Sequence, residues 1–352
     1  MRLTPDRKLA LLMHEAVVGS GGKMGFGLLR YSDAQIACVI DRETAGQDLA
    51  TLTGIARRVP VPIVASIAEA LALGADTLVP AIAPAGGILP PEWRQEVIAG
   101  LRGGMSLVNG LHERMADAPD FRAALTPSAW IWDVRQEPPG LDNGLGRARE
   151  VNAKRILTVG TDMAIGKMTA SLELHKAAQR QNIPSAFVAT GQIGICISGS
   201  GIALDAVRVD FASGGVEWAV LEAAHPFDRG GEGLLWIEGQ GSILHPASTA
   251  WLPLIRGSMP THLIICHRAG QESIARAPWV VFPPLKEVAA LYEAICAPIL
   301  PARVVGIALN CGHLSDDEAR VVCEQTEKET GLPTSDVVRF GGEKLLSAVL
   351  AG

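Results

Sequence analysis

An α/β protein with two parallel sheets is the fold this sequence predicts, and three observations carry that reading. Short apolar runs alternate with helical stretches through both halves of the 352 residues, the pattern of βαβ units and parallel strands. A Pro-, Gly- and Arg-rich stretch over 137–149 reads as a linker, which places the domains at 1–150 and 151–352. The segment 155–169, RILTVGTDMAIGKMT, joins a β-branched strand to a helix through a glycine-bounded loop and a lysine.

That last segment reads as a phosphate-binding loop. A loop wrapped at a helix N-terminus turns several backbone N–H groups inward, and the helix dipole and a lysine add positive charge. Gly160, Thr161, Asp162, Gly166, Lys167, Met168 and Thr169 are therefore the expected cofactor-binding residues. The spacing departs from G-x-x-x-x-G-K-[ST]. Thr161 holds the first glycine position, with Gly160 one residue early. Met168 follows the lysine, and the hydroxyl comes one later, at Thr169.

The first half reads in order as an apolar segment over 8–18, a glycine-dense turn GSGGKMGFG, and strands over 35–40, 62–65, 77–79 and 106–108. The turn lacks the G-x-G-x-x-G order of a dinucleotide site, and a glycine-rich loop is the simpler reading. Ser66 with Glu69 forms a capping box for a helix over 67–73, and 91–101 is a second helix. Strand–helix alternation of this kind makes a Rossmann-like sheet, with ligands beyond the carboxyl ends of the strands. Asp41, the loop 84–87 and His112 then face one crevice, and His112 is a candidate substrate contact.

In the second half the strands are expected over 156–159, 186–189, 234–237, 263–266 and 304–309. TGQIGICISGSG reads as a glycine-rich loop, and Asp205 and Asp210 flank a β-branched run. The strand 234–237 ends in Glu238, the position of a Walker-B-type acid that reaches Mg²⁺ beside the phosphate loop; Asp210 competes for that role. His267, Arg268, Asn310 and His313 fall at strand ends on the same edge. Cys266, His267, Cys311 and His313 make a poor zinc set, because the cysteines belong to apolar strands.

Composition excludes several classes. A net charge of −6 leaves no basic footprint for nucleic acid. Mean hydropathy is +0.23, yet no uncharged run reaches the roughly 18 residues of a membrane helix. Asp6, His14 and Glu15 interrupt the N-terminal apolar patch, so no signal peptide is expected. The six cysteines have no C-x-x-C spacing and read as reduced core thiols, which points to the cytoplasm. A homo-oligomer acting on a small-molecule substrate is expected.

Two resemblances follow from these residues. GTD-x-x-x-GK, a strand ending in E-G-x-G and a late strand ending in Asn310 resemble the dethiobiotin-synthetase branch of P-loop proteins, which implies that Asn310 contacts adenine. Over the whole chain, DRETAGQDL, IAPAGGILPPEW, NGLHE, ATGQIGICISGSGIALDAVRVDFASGGVE, WIEGQGSILHP and LNCGHL resemble the DgcN-like family. Ile193 stands where that pattern usually has Thr. The resemblance implies a Rossmann-like domain, a P-loop domain, and, in at least one branch, acetyl transfer from acetyl-CoA to D-glutamate.

The expected reaction is then N-acetylation of an acidic amino acid, with the loop holding the phosphates of acetyl-CoA. Amine attack on a thioester needs a proton acceptor and donors for the oxyanion. Glu238, His245 and His225 are candidate catalytic acceptors. Backbone amides of 239–242 or 191–194 are candidate donors. Arg268 and Arg229 are candidates for the substrate carboxylate, with Asp210 and His112 as further substrate residues. The alternative is an ATP- and Mg²⁺-dependent ligase or kinase, with Thr169, Asp210 and Glu238 at the metal. A third reading is a nucleotide- or CoA-sensing regulator.

Overall fold

The computed structural model describes residues 3–19, 21–82, 87–227 and 233–352. The expected loop residues 84–86 and Arg229 lie outside the described residues. The chain divides into two compact units, Met1–Gln136 with Ile195–Ala203, and Glu137–Gly194 with Leu204–Gly352.

The first unit alternates strands and helices: β1 (Lys8–Leu12), α1 (Lys23–Tyr31), β2 (Gln35–Ile40), α2 (Leu49–Thr53), β3 (Ile63–Val64), α3 (Ile67–Ala72), β4 (Thr77–Pro80), α4 (Pro91–Arg102), β5 (Ser106–Asn109), α5 (Pro119–Ala124) and β6 (Ile131–Asp133). The sheet order is β3-β2-β1-β4-β5-β6, every pair parallel, so the order reverses between β1 and β4. The segment 8–18 supplies the central strand: Leu9, Ala10, Leu11 and Leu12 are fully buried, as a strand covered on both faces requires. Ser66 caps α3 by accepting from Glu69 N, and the Glu69 carboxylate answers by accepting from Ala65 N and Ser66 Oγ.

The glycine-dense turn joins β1 to α1, and its glycines serve packing. A side chain at Gly25 would lie 2.2 Å from Met13 Sδ, and Gly25 N already donates to the Ala81 carbonyl. Asp41, at the end of β2, is buried and accepts from Glu15 N and the Thr44 hydroxyl. The turn and the acid that a dinucleotide would use are thus engaged in holding the fold.

The second unit contains β7 (Lys154–Gly160), α6 (Lys167–Arg180), β8 (Ser185–Val188), α7 (Gln192–Ser198, whose last four residues belong to the first unit), α8 (Ala212–Ala224), β9 (Leu234–Ile237), α9 (Trp251–Ser258) and β10 (His262–Arg268). A small hairpin follows, β11 (Ser273–Ile274) and β12 (Ala277–Val281), then α10 (Leu285–Cys296), β13 (Arg303–Asn310), α11 (Asp316–Thr330), β14 (Thr334–Ser335) and α12 (Glu343–Ala351). The sheet order is β14-β13-β10-β7-β9-β8, again parallel throughout. This puts β7 and its loop in the middle.

Three expectations change. The segment read as a linker packs within the second unit. The buried Glu217 carboxylate of α8 accepts from Leu145 N, Arg147 N and Arg147 Nε. The glycine-rich stretch after β8 forms α7, because burial of Ile193, Ile195 and Cys196 outweighs the weak helix propensity of its glycine. Asp210 ends no strand: 204–206 and 209–211 are 3-10 turns.

All six cysteines are buried and unpaired with one another. No helix among the described residues is long and apolar enough to cross a membrane.

Candidate functional site

The site is built where β7 ends. Gly160 closes the strand, and Gly166, at φ +113°, turns the chain into α6. Between them, the amides of Ala164, Ile165 and Gly166 have no acceptor among the described residues. Lys167 is only 6% exposed, and its Nζ donates to the Asp162 carbonyl at 2.7 Å. Amides without an internal acceptor, a helix N-terminus and a buried ammonium group are together the features of a cradle suited to an anion.

The loop is fixed by its neighbours. Thr161 N donates to the Cys266 carbonyl, and Thr161 Oγ1 shares a 2.9 Å hydrogen bond with His267 Nδ1. The Asp162 carboxylate accepts from Met163 N, Gln271 Nε2 and Ala275 N. Asn310 Nδ2 donates to the Ile165 carbonyl at 3.2 Å, while its Oδ1 accepts from Gly312 N. The Tyr292 hydroxyl of α10 donates to the Gly160 carbonyl at 2.8 Å and accepts from Ile243 N at 3.2 Å. It links the loop to the segment after β9.

That segment, 238–245, forms the second wall. Glu238 is 3% exposed, and its carboxylate accepts from Thr190 N, Gly191 N and Gln240 Nε2. Gly239 N donates to Thr158 Oγ1 at 2.9 Å. Thr158 Oγ1 also lies 3.0 Å from Ser171 Oγ. Ser242 Oγ donates to the Thr161 carbonyl, and Ser242 N donates to Ser248 Oγ. The amides of Gly191, Gly239 and Ser242, expected as oxyanion donors, are therefore engaged within the protein. Those of Gln240 and Gly241 have no acceptor among the described residues.

His245 is buried beside Asp162, with Nε2 3.9 Å from Oδ1. Its Nδ1 accepts from Ala247 N, which assigns the neutral ring's proton to Nε2, facing Asp162. The ring nitrogen that carries a lone pair is thus already engaged.

The structure gathers Gly160, Thr161, Asp162, Gly166, Lys167, Glu238, His245 and Asn310 into one linked cluster. Met168 and Thr169 occupy the first turn of α6, half-buried. Arg268 ends β10, exposed, paired in register with Asn310. Asp210 is exposed in its 3-10 turn, next to Arg208. His225 is exposed at the end of α8, 3.5 Å from the Glu222 carboxylate. His112 belongs to the first unit, exposed after β5. Among the described residues, no three His, Cys, Asp or Glu side chains are grouped to hold a metal ion. Thr158, Tyr292 and Gln271 enter the site without any local motif to announce them.

His267 carries a pH prediction. Burial lowers it from its ordinary 6.5 to about 4. Burial does the same to His175 and, with the charge of Lys154 adding to it, to His262. Such rings stay neutral in the folded chain while the unfolded chain protonates them. Their contribution to stability is therefore complete above about pH 6.5 and is lost as the pH falls toward about 4. Urea midpoints measured from about pH 7.5 to 4.5 should decline, and His267→Gln should flatten the decline. An unchanged slope in that variant would show that His267 does not contribute.

Comparison with known proteins agrees with this architecture. Residues 143–346 match the P-loop domain described as DUF1611, a domain of unknown function, and residues 42–137 match its Rossmann-like N-terminal domain. A crystal structure of a DUF1611 family protein from Anabaena variabilis superposes with a TM-score of 0.93 at 51% identity, covering 99% of this chain and all of that one. A protein named D-glutamate N-acetyltransferase from Pseudoalteromonas is 36% identical over 80% of this chain and 83% of its own. A second of that name, from Tritonibacter scottomollicae, is 34% identical over 81% of this chain and 84% of its own. The chain belongs to the DUF1611 family, with a Rossmann-like domain followed by a P-loop domain.

Proposed function

We propose that this protein is an N-acetyltransferase that moves an acetyl group from acetyl-CoA to the amine of D-glutamate or a close acidic analogue. The observation that carries the reading is the cradle of Ala164–Gly166 amides around buried Lys167, in a chain more than a third identical to a named D-glutamate N-acetyltransferase over four-fifths of its length. The cradle suits the phosphates of CoA, with Asn310 beside the loop for the adenine. Met168 favours this donor over Mg²⁺-ATP. It offers a thioether at the position where a P-loop magnesium takes a hydroxyl oxygen, and magnesium demands oxygen ligands.

When bound, acetyl-CoA supplies the activated thioester. The chain's residues supply position and charge. Lys167 and the loop amides hold the phosphates. Arg268, exposed at the strand edge, binds the substrate carboxylate. The Gln240 and Gly241 amides are the available donors for the oxyanion. Glu238 receives the ammonium proton: it lies within the linked cluster, whereas His225 is exposed at the end of α8 beside Glu222 and His245 has its lone pair engaged. The protein acts as a soluble homo-oligomer.

The test is an acetyl-transfer assay with acetyl-CoA and D-glutamate, run with magnesium and with excess EDTA. Equal turnover in both supports the reading, whereas turnover only with ATP and magnesium supports a ligase or kinase instead. Arg268→Gln should raise KM for D-glutamate roughly tenfold or more with little change in kcat, the loss of one charge-assisted pair to a carboxylate. An unchanged KM removes Arg268 from the substrate site.

A further inference from the structure

The second sheet has a feature at its other edge, where its strands begin. A cavity of about 480 Å³ opens at the N-terminal ends of β7, β9 and β10. A seven-residue strand such as β7 separates it from the phosphate loop by roughly 20 Å. The volume falls in the range of small-molecule sites. Val151, Ile183, Leu234 and Leu350 give it apolar walls, and Lys154 and Arg155 give it charge.

Neither cation has an acidic partner among the described residues, and none of the lining residues is Asp or Glu. Lys154 Nζ donates to the carbonyls of Val349 and Leu350, so the C-terminal end of the α12 dipole offsets it in part. Arg155 is 3% exposed, and its guanidinium donates to the carbonyls of Met259, Val151 and Ala153. A guanidinium taken from water without a counter-charge is costly. The two charges also reach His262 on the same wall: burial is the largest cause that lowers its pKa to about 4, Lys154 and Arg155 lower it further, and a hydrogen bond to the Gly352 backbone opposes them.

We propose that this cavity binds a small organic anion with an apolar body, a carboxylate on a short alkyl or aryl chain, whose charge is met by Lys154 and Arg155. The apolar walls take the chain, and the two cations take the head. Inorganic phosphate lacks the body for such walls, and a neutral alcohol lacks the charge.

The experiment titrates the full chain calorimetrically with octanoate, octanol and inorganic phosphate. Octanoate should bind at least about tenfold more tightly than octanol, the fold-change that a charge-assisted hydrogen bond carries. Phosphate should bind weakly. Octanoate should also raise the His262 pKa, read by NMR, because its charge offsets Lys154 and Arg155. Ile183→Glu places a counter-charge in the cavity wall, so it should raise the thermal midpoint and abolish octanoate binding. Equal binding of octanoate and octanol, or no octanoate binding, would overturn the proposal. So would phosphate binding as tight as octanoate, or an Ile183→Glu chain that folds with a lowered midpoint. None of these readouts involves acetyl transfer, so they stand or fall independently of the proposed activity.

Discussion

Lys167→Ala is expected to reduce kcat/KM for acetyl transfer by about a thousandfold, roughly 4 kcal/mol of lost transition-state stabilisation. The ammonium group is buried in the loop and tied to the Asp162 carbonyl. It is therefore held at the cradle, with little conformational freedom left to lose on binding. Alanine is the best helix former, and the Lys167 carbonyl that Thr158 Oγ1 approaches is backbone. The start of α6 should survive the change, which isolates the charge. CoA at about 100 times its dissociation constant should stabilise the wild type by about 2.7 kcal/mol and should leave the variant's midpoint unmoved. A variant that keeps both its activity and its CoA-induced shift would detach the phosphate loop from the reaction.

How much of this was legible in the sequence depends on how local each feature is. The strands 35–40 and 234–237 coincide with β2 and β9, because continuous β-branched and apolar runs bounded by polar residues leave little choice. The phosphate loop was visible because strand, glycines and lysine are contiguous. The acid at the end of β9 was visible too, but its partners were not: the amides of Thr190 and Gly191 come from 48 and 47 residues away. Tyr292 meets Gly160 across 132 residues, and no spacing rule reaches that far. Asp210 looked like a strand-end acid because the β-branched Val207 and Val209 lead into it. Val209 is in fact 84% exposed, and a buried strand would not leave it so. The helix α7 was not legible, because glycine density carries no trace of the burial of Ile193, Ile195 and Cys196, which only the tertiary fold supplies.

The wall opposite Lys167 should be equally sensitive to a single methyl group. Gly239→Ala would place a Cβ 1.7 Å from the Thr158 carbonyl oxygen and 3.0 Å from Lys167 Cδ. The first of these atoms is backbone of the central strand β7, so no rotamer change relieves the contact. Either β7 bends or the 238–242 segment withdraws. Withdrawal breaks the Gly239–Thr158 hydrogen bond and drags Glu238 from the Thr190 and Gly191 amides. Buried donors left without an acceptor cost about 1–3 kcal/mol each, and overpacking adds about as much. A loss of roughly 4 kcal/mol or more is expected from urea unfolding, together with loss of acetyl transfer in whatever fraction remains folded. Gly54→Ala is the control. Gly54 sits at φ +67° with nothing within 4 Å of the new methyl, so it should cost only about 1 kcal/mol of backbone strain. Equal losses in the two variants would mean that the close approach of Gly239 to β7 is not what holds this wall in place.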